Sequence, residues 1–383
     1  MNSAEGFQSE PALRAPCSPS LDRWGEPPPG EERRRQRHQA LGEDRARFRE
    51  LLGKVGSGEH TSSGLSREEA RQAMDLMLGE TVTDAQLGAF LIAHRIRRPE
   101  PLELTGMLDS YRMQGPQLQT PGERALCFGV PYDGRSRTAP LLPLVALVLS
   151  GAEIPVVLHG GAPMPVKYGA TLAELFAALG VEWRGLPLAT TQERLRRHHL
   201  ALTHQSDHFP AAERLVRIRE EIGKRPPLAS LELLWTPHQG DHLLVSGFVH
   251  PPTESRGWQA LSAAGEEEAL LVKGLEGSTD LPTSRAGICS RLRQGVGERV
   301  LLHPREHGIH AEEVPLDSLD HWRHQALAAL QGEGELALPL AWNLAALLWL
   351  SERISDLPQA LQQARALLQA RVGVAQLQRL QEP

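Results

Sequence analysis

Two glycine-bearing loops in the middle of the chain carry groups suited to holding an anion. They are Cys127–Pro140 (CFGVPYDGRSRTAP) and Ile154–Gly169 (IPVVLHGGAPMPVKYG). Without a Cβ in the way, the N–H groups at Gly129, Gly134, Gly160 and Gly161 can come close to a negatively charged oxygen. Arg135 and Arg137 offer guanidinium forks for phosphate oxygens, while Ser136 and Thr138 add hydroxyls. His159 and Lys167 supply further donors, and Tyr132 and Tyr168 sit in the same loops. Asp133 is the wrong charge for phosphate and suits a ribose hydroxyl or a bound metal ion. The plainer alternative is a tight surface turn with exposed arginines. No G-x-x-x-x-G-K-[ST] loop is present, and GKVGSG at Gly53–Gly58 follows no strand.

Each loop follows a short apolar run, and Leu141–Glu153 (LLPLVALVLSGAE) joins the two. Strand, Gly-rich turn, helix and strand again is how α/β proteins place an anion site at the carboxyl ends of parallel strands. The alternation predicts strands at Ala125–Gly129, Ile154–Leu158, Leu231–Trp235, Leu243–Val249, Ala269–Lys273 and Arg299–Leu302. Helices are expected at Pro140–Ser150, Leu172–Leu179 and Pro210–Ile222, then at Leu319–Leu330, Leu340–Ile354 and Leu357–Gln369. Upstream, Ser66 with Glu69 and Thr83 with Gln86 read as capping boxes ahead of apolar stripes. Ala70, Met74, Met77 and Leu78 form one stripe, and Leu87, Phe90, Leu91 and His94 the next. Pro99 and Pro101 interrupt them before a third helix around Leu102–Tyr111. The expected organisation is a disordered tail over 1–45, an all-helical domain over 46–118 completed by about 205–225, and a larger, mostly parallel α/β domain over 119–383. The ligand cleft should lie between the two domains.

Composition narrows the classes of function. The chain has 383 residues, 40% of them hydrophobic and 23% charged, with a net charge of −6. No global positive field draws it onto nucleic acid or an anionic membrane. The tail's Arg33–Arg35 and Arg37 lie beside Glu31 and Glu32 and read as a solvated mixed-charge segment. Three scattered cysteines, Cys17, Cys127 and Cys289, suggest no disulfide framework. The first twenty residues lack the apolar core of a secretory signal, and no apolar run reaches the length of a membrane span, so a cytoplasmic protein is expected.

The helical module, the two loops and the order of elements after them resemble glycosyltransferase family 3, and within it the anthranilate phosphoribosyltransferase-like proteins. The resemblance spans about Phe48 to Leu380 and is carried by FLIAHRIRRP (Phe90–Pro99), PYDGRSRTAP, GKRPPLASLELLW (Gly223–Trp235), GFVHPPTE (Gly247–Glu254) and VKGLEGSTDLP (Val272–Pro282). It implies a nucleoside phosphorylase/phosphoribosyltransferase type of fold, a homodimer through the helical domain, and a phosphorylated pentose or nucleotide-like ligand. The family's pyrophosphate loop GTGGD becomes Gly129-Val130-Pro131-Tyr132-Asp133, and its KHGNR loop becomes Leu158-His159-Gly160-Gly161-Ala162. The magnesium-binding Asp-Glu pair falls on Thr279-Asp280, with Glu276 nearby as a compensating carboxylate. The arginine that holds the anthranilate carboxylate matches Arg219. A lysine, an arginine, an asparagine and one magnesium carboxylate are thus lost around a diphosphate leaving group. One lost preorganised donor costs about 3 kcal/mol of barrier. The implied activity is phosphoribosyl or pentosyl transfer at rebuilt loops, with magnesium at Asp280 and a substrate pair other than that of tryptophan biosynthesis. A catalytically silent nucleic-acid-binding paralogue and an authentic anthranilate phosphoribosyltransferase are the alternatives.

Rival sites carry less. His303-Pro304-Arg305-Glu306-His307 has H-x-x-E-H spacing, but Pro304 and Gly308 leave no room for the helix a zinc site needs. Arg194, Arg196, Arg197, His198 and His199 form a basic helix-end patch whose default is a solvated face. Trp342, Trp349 and Leu350, at helical spacing, read as core or a dimer seam.

Overall fold

The computed structural model describes residues 29–58, 61–120 and 122–382. Helix α1 (Pro29–Leu41) opens the described chain where a disordered tail was expected; its described side chains are exposed. Local contacts such as Gln36 Nε2 donating to Glu32 at 3.0 Å accompany this helix. Residues 1–28, Cys17 among them, and the side chains of Arg34 and Arg37 lie outside the described residues.

Helices α2 (Glu43–Gly56), α3 (Arg67–Leu78), α4 (Asp84–Arg97) and α5 (Pro101–Gln114) follow. Both expected capping boxes form, at Ser66/Glu69 and Thr83/Gln86, and both apolar stripes are buried. Helices α3 and α5 cross so closely that a Cβ at Gly106 would fall 2.0 Å from the Arg67 carbonyl oxygen.

The rest of the chain is built on a seven-stranded sheet. In chain order the elements are β1 (Leu118–Gln119), β2 (Ala125–Gly129), α6 (Leu142–Gly151), β3 (Val156–Gly160), α7 (Leu172–Ala178), α8 (Leu188–His198), β4 (Leu200–His204), α9 (Gln205–His208), α10 (Pro210–Ile222) and α11 (Leu228–Leu234). Next come β5 (His238–Gln239), β6 (His242–Gly247), α12 (Pro251–Ala263), β7 (Glu268–Val272), β8 (Gly287–Arg293) and β9 (Val296–Leu302). Four closing helices are α13 (Leu319–Ala329), α14 (Ala337–Leu350), α15 (Leu357–Gln369) and α16 (Val372–Gln381). The sheet order is β4-β3-β2-β6-β7-β8-β9, parallel from β4 to β7 and antiparallel at β8 and β9. Strands β1 and β5 make a separate parallel pair.

The parallel strands are buried on both faces, as helices on either side require. Leu126 and Phe128 join a core with α6 and α14, while Ala125 and Cys127 face a second core containing Met74, Phe90 and Met107. Helix α10 returns to the helical layer: Ala212, Leu215 and Ile218 enter that second core. Leu231–Trp235, expected as a strand, lies in α11 instead. A five-residue apolar run fits a buried helix or a strand equally well, and here Pro226 and Pro227 start the helix by accepting from Ala229 at 3.0 Å and Ser230 at 2.8 Å. Strands β1, β4, β5 and β8 and helices α9, α12 and α16 went unpredicted. Among the described residues no helix is long and apolar enough to cross a membrane.

Candidate functional site

Strand β2 delivers the first loop at the carboxyl edge of the sheet. Glycine is required where it leaves, since a Cβ at Gly129 would lie 2.0 Å from the Leu233 carbonyl oxygen. Gly134 adopts φ 74° and turns the chain outward. The next residues wrap around a single carboxylate, that of Glu276. Ser136 N–H donates at 3.2 Å, Arg137 N–H at 3.0 Å and Thr138 N–H at 3.0 Å. The hydroxyls of Ser136 and Thr138 add bonds of 3.3 and 3.1 Å, and Arg135 Nε one of 3.2 Å. Burial alone would raise the Glu276 carboxyl, but Arg135 and the three N–H groups prevail and hold it at about 2.

Arg135 is itself buried and fully engaged. Its Nη1 donates to Ser278 Oγ at 2.7 Å and to Asp280 Oδ2 at 2.6 Å, and Asp280 also accepts from Leu141 N–H at 3.0 Å. Lys167 Nζ donates to the carbonyls of Gly134 at 2.9 Å and Glu276 at 3.3 Å. Burial pulls its ammonium below the ordinary lysine value despite nearby Asp133 and Glu276. Arg137 alone of the loop cations points to solvent, its side chain 77% exposed.

The second loop meets the first from behind. His159, fully buried, has Nδ1 2.6 Å from Tyr132 Oη, and Trp235 Nε1–H donates to the same oxygen at 3.1 Å. Burial drives the imidazole down to about 3, so it is neutral. Gly160 and Gly161 are buried too, Gly161 against Met164 and Tyr132. Tyr132, His159, Gly160 and Gly161 therefore belong to the interior that supports the loops.

Arg219, expected at an acceptor carboxylate, lies inside and gives Nη1–H to Glu232 Oε1 at 2.5 Å. Glu232 in turn accepts Tyr132 N–H at 3.1 Å. Six residues on, past the turn that ends α10, Arg225 donates Nε–H to Asp133 Oδ2 at 2.7 Å. Asp133 Oδ1, completely buried, accepts no hydrogen bond.

Arg225 and Asp133 line a cleft of about 730 Å³ between the helical layer and the carboxyl edge of β6. Pro131, Phe248, Val249 and Gly277 form part of its wall. Arg95 and Arg98, at the end of α4, and Arg256, on α12, also line it and make no ion pair among the described residues. Sequence reading gave no site role to these three arginines, and it saw Arg225 only as in register with the family. For Arg95, Arg98 and Arg225 the signal lay in RIRRP and GKRPP, where cations stand next to the prolines that end or interrupt helices.

The donor set does not suit the implied magnesium. Asp280 and Glu276 both spend oxygens on Arg135, whose guanidinium lies between them. No group of three or more His, Cys, Asp or Glu side chains among the described residues is arranged to hold a metal, and His303–His307 is a short turn over Pro304–His307. In the basic patch on α8, Arg196 at 2.6 Å and Arg197 share the single carboxylate of Glu193, and Arg194 lies over Trp183 at 4.8 Å.

Residues 49–115 match the helical bundle domain of the glycosyl transferase family, and residues 141–375 match its α/β domain. An uncharacterized protein of Aquifex aeolicus is 28% identical over 264 residues, 67% of this chain and 78% of that protein. The anthranilate phosphoribosyltransferase of Xanthobacter autotrophicus is 26% identical over 342 residues, 87% and 95% of the two chains. The Saccharomyces cerevisiae anthranilate phosphoribosyltransferase in complex with PRPP and Mg has the same fold, with a TM-score of 0.74 at 14% identity over 89% of this chain and 98% of that one. Helical layer, sheet and loops thus agree with sequence similarity along most of the chain, and the protein belongs to the glycosyl transferase family as an anthranilate phosphoribosyltransferase-like member.

Proposed function

We propose that this chain binds a phosphorylated pentose or nucleotide-like ligand in the arginine-lined cleft and transfers or cleaves a phosphoribosyl or pentosyl group, with a substrate pair other than that of tryptophan biosynthesis. The observation that carries this reading is the juxtaposition of Arg95, Arg98 and Arg256, free of carboxylate partners among the described residues, with the orphaned acceptor Asp133 Oδ1. Guanidinium groups suit phosphate oxygens, and a buried carboxylate oxygen lacking a donor suits a ribose hydroxyl. Arg225 holds the Asp133 carboxyl group in orientation. In such a transfer the protein mainly holds the reactants in place and stabilises developing charge. Magnesium has no part in this reading, because Arg135 already takes the carboxylates. A homodimer through the helical layer in the cytoplasm completes the proposal; Ile96, Leu102 and Met113 are exposed apolar side chains such a contact would cover.

Isothermal titration with ribose 5-phosphate and 5-phosphoribosyl diphosphate, with and without magnesium, tests it. Saturable binding is expected without magnesium, weakened about tenfold or more in an Arg95→Ala/Arg98→Ala variant, since a hydrogen bond to a charged group contributes about 1.5–3 kcal/mol. Absence of heat with every phosphopentose overturns the reading.

A further inference from the structure

We propose that the tethered carboxylate of Glu276 is a built-in occupant of the first loop, where the family resemblance implies a phosphate or diphosphate, and competes with such a ligand for the loop's donors. Three successive N–H groups, at Ser136, Arg137 and Thr138, converge on this carboxylate within 3.2 Å. Successive converging N–H groups are the form of an anion-binding nest. Two hydroxyls, Arg135 Nε and, at 3.7 Å, Lys167 Nζ complete a shell that a phosphate oxygen could use unchanged. The Glu276 side chain is only 2% exposed, so while it remains no second anion fits the nest.

The backbone supports the same conclusion. Glu276 sits at φ 56°, in the left-handed region that non-glycine residues seldom adopt. Gly274 precedes it in a position where a Cβ would lie 1.9 Å from the Ser278 carbonyl oxygen. The surrounding turn therefore dictates the aim of this side chain. Arg137, its side chain 77% exposed, has Nε 3.8 Å from Glu276 Oε2 and would turn to a ligand that displaced that carboxylate. The inference stands on the loop's geometry and not on the identity of the ligand proposed above.

The test uses Glu276→Gly, which suits the left-handed backbone and empties the nest. Inorganic diphosphate is titrated without metal, in an Arg95→Ala/Arg98→Ala background so that binding at those cleft arginines does not contribute. Removing Glu276 is expected to tighten diphosphate binding by at least about tenfold, because several donors lose their internal acceptor. Equal affinity with and without Glu276, or no binding by a folded Glu276→Gly chain, overturns the proposal. If that variant does not fold, Glu276→Asn, uncharged, one methylene shorter and tolerant of the left-handed region, is read in the same way.

Discussion

Tyr132 Oη and His159 Nδ1 lie 2.6 Å apart in the interior, so the two loops are joined by a buried hydrogen bond behind the cleft. Trp235 Nε1–H donates to the same oxygen, so Tyr132 Oη links both rings. Tyr132→Phe leaves two buried ring nitrogens without that partner, each costing about 1–3 kcal/mol. Chemical denaturation should register this loss, while affinity for a cleft ligand stays unchanged.

The same histidine gives a pH prediction. Its folded pKa, about 3, lies below the ordinary 6.5, so the unfolded chain binds the proton more readily. Its contribution to stability is complete above about 6.5 and falls as the pH drops toward 3. The His159 ring resonances should therefore stay constant in NMR spectra between about pH 5 and 8, the range in which an exposed histidine titrates.

Glu103 makes the helical layer acid-sensitive in its own way. Fully buried, it accepts N–H bonds of 2.7 Å from Leu65 and from Glu100 and pairs with Arg97. Burial raises its pKa, but His94, whose Nε2 lies 3.5 Å away, and Arg97 prevail and set it at about 2 against 4.5. A depressed carboxyl stabilises above its unfolded pKa and loses that contribution as pH falls through the folded one. At 1.36 kcal/mol per unit, this amounts to roughly 3 kcal/mol between about pH 4.5 and 2. Glu103→Gln should flatten this part of the stability curve, read by urea melts across that range.

Arg219 and Glu232 make a buried pair whose disruption should be costly. Removing one partner of such a pair costs about 3–5 kcal/mol because the other is left uncompensated. Burial already raises the Glu232 pKa, even with Arg219 beside it. In Arg219→Met the carboxyl should rise further, so the destabilisation should grow with pH. Equal losses in denaturation at about pH 5 and 8 would count against this account.

The fold was legible in the sequence because its signals are local and repeated. The stripes at Met74 and Phe90 have helical period, and the runs ending at Gly129 and Gly160 are bounded by glycine. The site was legible in place but not in assignment. Nothing in a linear pattern distinguishes Arg219, which points inward to Glu232, from Arg225, which reaches Asp133 around the end of α10. Likewise Glu276 reads as a metal ligand until the loop 140 residues upstream is seen to close on it, a long-range contact that spacing does not encode. Leu231–Trp235 failed for the opposite reason, since five apolar residues carry too short a period to choose between helix and strand.

Arg135 should decide whether the chain responds to a divalent cation. Its guanidinium contacts Glu276 at 3.2 Å and Asp280 at 2.6 Å, occupying oxygens of the two carboxylates that a metal would need. The unaltered chain should show no change in melting temperature on adding millimolar magnesium or manganese. Arg135→Ala should lose stability by about 3–5 kcal/mol, the usual cost of breaking a buried ion pair. The two freed carboxylates would then repel one another, and oxygen ligands of that kind suit hard divalent ions. Manganese or magnesium should therefore restore part of the lost melting temperature in Arg135→Ala alone. The same recovery in Arg135→Ala/Asp280→Asn would place the cation elsewhere.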